Sequence, residues 1–181
     1  MAVAKKDGVT YEEIIRAVRA GKFAPVYYLM GEESYYIDKV SEFIADSALQ
    51  EHERDFNLTV CYGSDVTMDE VINAAKRFPM MAERQVVMVR EAQNLNGKER
   101  LSFYLEHPQP TTVLIFCHKN GLLDKRKKLA ADIQRVGVLF ESKKYYDSQL
   151  PGFVTSYLQR KGVAMEQHAV TSAPSIVPCS S

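Results

Sequence analysis

The residues best placed to do chemistry lie just past an apolar run near the start of the chain. Val26-Tyr27-Tyr28-Leu29-Met30 is β-branched, aromatic and aliphatic, with Pro25 before it and Gly31 after it. Such a run reads as a buried strand ended by a turn. Ser34 can then cap a helix whose apolar residues, Ile37, Val40, Phe43 and Ile44, recur at helical spacing. Strand, glycine turn and helix together cradle phosphate when the loop reads G-x-x-x-x-G-K-[ST] and its backbone N–H groups converge on the anion. Here the loop has one glycine, Gly31, followed by Glu32 and Glu33. Two carboxylates at that place repel a phosphate. A nucleotide hydrolase also needs an acidic pair after a later strand, one carboxylate for Mg²⁺ and one to polarise water. The matching strand, Gln85 to Val89, is followed by Arg90 and Glu91. An arginine there repels the cation, and Glu91 alone reads as a solvated residue past a strand end. Both halves of the site are degraded where the chemistry needs them. No nucleotide, metal or other cofactor is expected, and no catalytic residue.

Other reactive patterns give little. His52, His107, His118 and His168 share no metal-ligand spacing. His118 follows a strand end, a site-like place, yet no nucleophile accompanies it, so it reads as structural. Neither G-x-S-x-G nor G-x-G-x-x-G occurs. Cys61, Cys117 and Cys179 are odd in number and far apart, which suits a reducing cytoplasm without disulfides. The one basic run, Lys125-Arg126-Lys127-Lys128, falls in the first turn of an expected helix, where positive charge opposes the dipole. It is either a solvated helix face or a contact for phosphate, DNA or an acidic partner. Phe78-Pro79-Met80-Met81 is different in kind. Pro79 stops a helix, so the two methionines fall in the link before a buried strand. Adjacent residues cannot both point into the core from a regular element. Either the pair closes the core edge beneath the loop, or it offers flexible thioethers to a partner's apolar pocket.

The elements that must position these residues alternate. Thr10 with Glu13 and Thr67 with Glu70 form two capping boxes, opening helices at Tyr11–Arg19 and Met68–Arg77. The second helix shows Val71, Ile72, Ala75 and Phe78 on one face. Asp55 to Cys61 alternates like a strand, while Gln85–Val89 and Thr112–Cys117 are continuously apolar, as in a sheet covered on both faces. A helix with Leu101, Tyr104 and Leu105 lies between them. Asp124 can cap a last helix through Leu129, Ile133 and Val136, before a short strand at Val138-Leu139-Phe140. The expected fold is α/β: five parallel strands with helices on both faces, a three-layer sandwich. It should fill residues 1–142; residues 143–166 read as a hinge and the start of a second, cut-off helical domain, and 167–181 as a loose tail.

Bulk properties agree with a water-soluble domain. The 181 residues are 46% hydrophobic and 25% charged, enough for one full core. Twenty-three basic residues balance twenty-three acidic ones, so strong nonspecific nucleic-acid binding is not favoured. No apolar run reaches membrane-spanning length, and the first residues lack the apolar centre of a signal peptide.

Several segments taken in order, PVYYLMGEESYYIDK, DFNLTV, VINAAKRFPMMAERQVVMVREAQNL, HPQPTTVLIFC, LDKRKKL and SQLPGFVTSYLQRKG, resemble the delta subunits of bacterial DNA polymerase III. The resemblance runs from about Lys22 to about Val163 and is sharpest at FPMMAERQVVMVR. It implies an AAA+ (P-loop NTPase-like, RecA-like) fold that neither binds nor hydrolyses ATP. It implies a subunit that binds and opens the sliding clamp, the beta subunit, for loading on primed DNA. It matches Met80 and Met81, carried by Phe78 and Pro79, to the apolar pair that enters a pocket on the clamp. Other loader subunits would be met through C-terminal domains that this sequence does not reach, and DNA only indirectly. Competing readings are a divergent P-loop ATPase or kinase, a nucleic-acid module using the basic run, and another inactive loader subunit.

Overall fold

A computed structural model describes residues 8–143. The first compact unit closes at Lys143. The hinge, second-domain and tail expectations, and Cys179, lie outside the described residues.

The order of elements is α1 (Tyr11–Arg19), β1 (Val26–Gly31), α2 (Ser34–Ala48), α3 (Arg54–Asn57), β2 (Leu58–Tyr62), α4 (Met68–Ala75), β3 (Gln85–Arg90), α5 (Leu101–Glu106), β4 (Thr112–Lys119), α6 (Lys128–Val136) and β5 (Val138–Ser142). The strands form one sheet in the order β2-β3-β4-β1-β5, and every neighbouring pair is parallel. The crossover from β1 to the far edge at β2 runs through α2. The return path through β3 and β4 to β5 runs through α4, α5 and α6. With right-handed crossovers, opposite directions of travel put these two sets on opposite faces. The sheet is therefore covered on both sides, which is why β1, β3 and β4 read as unbroken apolar runs.

Side chains confirm the layering. Tyr28, Met30, Val87, Val89, Leu114 and Phe116 share one buried cluster with residues of α4, α5 and α6. The alternate positions, such as Leu29 and Ile115, are fully buried on the other face, where α2 lies on β1, β3 and β4. Both expected capping boxes are present, at Thr10–Glu13 and Thr67–Glu70. Gly31 has φ 133°, and a Cβ there would stand 2.3 Å from the backbone oxygen of Ser142. Only glycine lets β5 close this tightly on the end of β1.

Several boundaries differ from expectation. Strand β4 runs on to Lys119, so His118 lies within it and does not follow its end. Ser34 does not cap α2; it is the first helical residue, and Glu33 holds the cap position without a side-chain bond. Asp55 to Asn57 are helical, because Gln50 and Glu53 form a third capping box that starts a helical turn running into α3. The strand therefore begins at Leu58. Helix α4 ends at Ala75 and leaves Phe78 exposed, off the apolar face assigned to it. A residue before proline is pushed out of helical geometry. Helix α6 starts at Lys128, not after Asp124. The Asp124 carboxylate accepts the Arg126 N–H at 3.0 Å, which spends its capping capacity on a local turn.

Candidate protein-interaction site

Two edges of the sheet compete for attention. The first is the crevice past the C-terminal ends of β1, β3 and β4, where an open parallel sheet takes its ligand. Gly31, Glu32 and Glu33 lie there, with Arg90, Glu91 and Lys119. The chain itself occupies this edge. The Asn120 N–H donates to the Gly31 oxygen at 3.1 Å, Gly121 forms a bridge with Gly31, and the Ser142 hydroxyl donates to the Glu33 oxygen at 3.2 Å. The cations are also taken. Asp38 of α2 receives Lys119 Nζ at 2.8 Å and Arg90 at 3.4 Å, and Glu42, one turn on, lies 4.0 Å from Arg90. Positive charge that would serve a phosphate is thus neutralised by two carboxylates on one helix face. Glu91 is exposed, with φ 52°, at the start of a tight turn. Among the described residues no three or more His, Cys, Asp or Glu are gathered to hold a metal ion.

His118, the other site-like residue of this edge, is engaged internally. Its Nδ1 lies 2.7 Å from the Tyr28 hydroxyl. Burial holds the Tyr28 hydroxyl well above the usual phenol range, so it stays protonated in this buried pair. Burial, reinforced by Lys98, pulls the His118 pKa down to about 4. Cys117 sits inside β4 with its thiol pushed up to about 11 by burial, an inert core residue.

The basic run is mostly paired within the chain. Lys125 bonds Glu141, Arg126 pairs with Asp124 at 3.1 Å, and Lys128 reaches Asp132 at 2.8 Å along α6. Lys127 holds the cap position of α6. Only Lys128 lies in the helix's first turn, so the dipole conflict applies to one residue, and Asp132 offsets it.

The second edge is the link between α4 and β3. It presents Phe78 at 75% exposure, Met80 at 61% and Met81 at 100%. Met81 has φ 53°, left-handed geometry that costs a non-glycine residue about 1 kcal/mol or more. Its side chain gains no packing in return. The base of this link is braced by groups that sequence reasoning missed. Gln85, buried at the start of β3, donates to the Ala74 oxygen at 3.1 Å and to the Arg77 oxygen at 2.6 Å. The Thr112 hydroxyl of β4 donates to the Ala75 oxygen at 2.6 Å and accepts from Gln85 at 2.9 Å. The bonds to Ala74 and Ala75 tie down carbonyls at the end of α4, and the bond to Arg77 holds the chain just past it. Arg84 stacks on Phe23 with 4.6 Å to the ring centre, and the Asn57 side chain bonds the backbone of Met80. The signal for Gln85 is a single amide just ahead of the apolar run Val86 to Val89. The choice that the sequence left open for the methionines falls to solvent for both.

A five-stranded parallel sheet in the order β2-β3-β4-β1-β5, covered by helices on both faces, with the loop after β1 closed by its own backbone, defines a three-layer α/β domain. The family model described as DNA polymerase III, delta subunit matches residues 27–143. The chain belongs to the DNA polymerase III delta subunit family. It is similar to the DNA polymerase III subunit delta of Bacillus subtilis, with 27% identity over 154 residues, 80% of this chain and 44% of that one. Among solved structures it resembles the DNA clamp loader delta protein of Bacillus subtilis, with TM-score 0.69 and 24% identity over 84% of this chain and 48% of that one. A gamma subunit-related protein of DNA polymerase III from Thermotoga maritima has the same fold, with TM-score 0.53 and 13% identity over 88% of this chain and 58% of that one. The chain thus spans less than half the length of the delta relatives it matches.

Proposed function

We propose that this chain is the clamp-handling part of a clamp-loader delta subunit: it binds the ring-shaped sliding clamp and favours its open form, with no ATP hydrolysis of its own. The observation that carries this reading is Met81, wholly exposed in a left-handed conformation beside exposed Met80 on a braced link. A soluble domain gains nothing for itself from two thioethers held in water. A partner with an apolar pocket gains both.

Opening a ring is binding work. A surface that fits the open clamp better than the closed one shifts the equilibrium by the difference in affinity and by nothing else. Such a surface must be stiff, or the closed ring would simply bend it. Gln85, Thr112 and the buried strand β3 supply that stiffness from below. Phe78 and Pro79 flank the anchors. The closed, self-neutralised edge around Gly31, Arg90 and Lys119 supports a chain that takes no nucleotide. Contacts with other loader subunits belong to parts of the protein beyond this domain, and DNA is reached through the clamp. The cytoplasm is the compartment that suits this work.

Calorimetric titration against the cognate sliding clamp, with ATP omitted, tests the proposal. Met80→Ala with Met81→Ala should weaken binding at least tenfold, since truncating an interface anchor costs about 1–4 kcal/mol. Unchanged affinity in the double variant removes the site.

A further inference from the structure

Asn57 is a polar side chain at 3% exposure, at the end of the short helix α3 and 23 residues from the link it touches. Its Nδ2 donates to the Met80 oxygen at 2.9 Å and to the Glu53 oxygen at 3.0 Å. Its Oδ1 accepts the Met80 N–H at 2.6 Å. Both amide protons and one lone pair are therefore in use. The side chain pairs with the two backbone groups of one residue, as a neighbouring strand would. Among the described residues no other side chain is seen to bond the backbone of the tip. Met81 is wholly exposed, so its own side chain anchors nothing, and the Gln85 and Thr112 bonds stop at Arg77.

We infer that Asn57 is the positioning residue of the methionine tip: by fixing both backbone groups of Met80 it sets the direction in which Met80 and Met81 leave the domain. The inference rests on the clamp-binding reading for its functional consequence but not for its geometry. A tip free to swing would meet its pocket in few of its conformations, and apparent affinity falls by the fraction that is competent. The competing explanation is that Asn57 merely ties α3 to the rest of the fold.

Two measurements on the full chain separate these. The first is amide hydrogen exchange at Met80. The wild-type amide should be protected, and Asn57→Ala should lose at least tenfold of that protection while Val86 to Val89 keep theirs. A Met80 amide that exchanges freely in the wild type overturns the inference without any variant. The second is a clamp titration without ATP. Asn57→Asp keeps the volume and the acceptor for the Met80 N–H but turns an oxygen toward the Met80 and Glu53 carbonyls. It should weaken binding about tenfold. In the Met80→Ala, Met81→Ala background the same change should cost less than about twofold, because the tip it aims is gone. An equal loss in both backgrounds would mean a purely structural role. If the wild type does not bind the clamp at all, the functional proposal fails, and Met80 exchange still decides whether Asn57 holds the tip.

Discussion

Replacing Gly31 with alanine asks what the single glycine of the phosphate-loop position is for. If it were the remnant of a ligand cradle, a methyl group would obstruct a ligand and leave the fold alone. The structure predicts the reverse. The new Cβ would stand 2.3 Å from the Ser142 oxygen and 2.9 Å from its nitrogen, both backbone atoms that no rotamer change can move aside. The backbone φ of 133° adds strain for any residue with a side chain. Strain of this kind costs about 1–3 kcal/mol, and forced overpacking about 1–3 kcal/mol more. The sum, roughly 2–6 kcal/mol, is a large part of the 5–15 kcal/mol that holds a typical domain folded. At about 2–4 °C per kcal/mol the melting temperature should fall by roughly 10 °C. Gly121→Ala is the control, because its Cβ would meet only the His118 ring, at 3.3 Å. Thermal unfolding followed by circular dichroism reads both. If Gly31→Ala melts within about 2 °C of the wild type, the claim that β5 closes this edge is wrong.

The two methionines should not be equal. Burying a whole methionine side chain is worth about 1.5–3 kcal/mol. Met81 offers all of its surface and Met80 61%, so Met81→Ala should weaken clamp binding more than Met80→Ala in separate titrations, and neither should shift the melting temperature appreciably. His118 should make stability depend on pH. Its folded pKa, about 4, lies below the unfolded value near 6.5, so the unfolded chain takes up a proton first as pH falls. Stability is full above about pH 6.5 and is lost as the pH falls through that range toward about 4. Comparing melting temperatures at pH 7.5 and pH 5 for the wild type and His118→Gln should show a smaller drop in the variant.

What the sequence revealed depended on how local the cause was. The two capping boxes, at Thr10–Glu13 and Thr67–Glu70, are short-range chemistry and were legible residue by residue. The apolar strands were legible because double cover removes the alternation that half-buried strands show. Strand order was not, since it depends on which face each crossover takes. The errors were local competitions. Asp124 fits a helix cap by sequence, but its carboxylate has a nearer partner in the Arg126 N–H. Phe78 fitted the apolar spacing of α4, but Pro79 had already ended the helix. Asn57 fits an alternating strand by sequence but ends the short helix α3. A buried amide whose partner lies 23 residues away leaves no periodic trace. For the nucleotide edge, the missing residues were evident in the sequence, whereas the pairing of Asp38 with Arg90 and Lys119 appears only in three dimensions.

The central claim is that a nucleotide-binding framework serves here as a handle that needs no nucleotide. Its most direct test is to titrate the wild-type chain into the sliding clamp twice, once without nucleotide and once with saturating Mg-ATP. The account predicts binding in both, with the same affinity. Binding that appears only with Mg-ATP would contradict it.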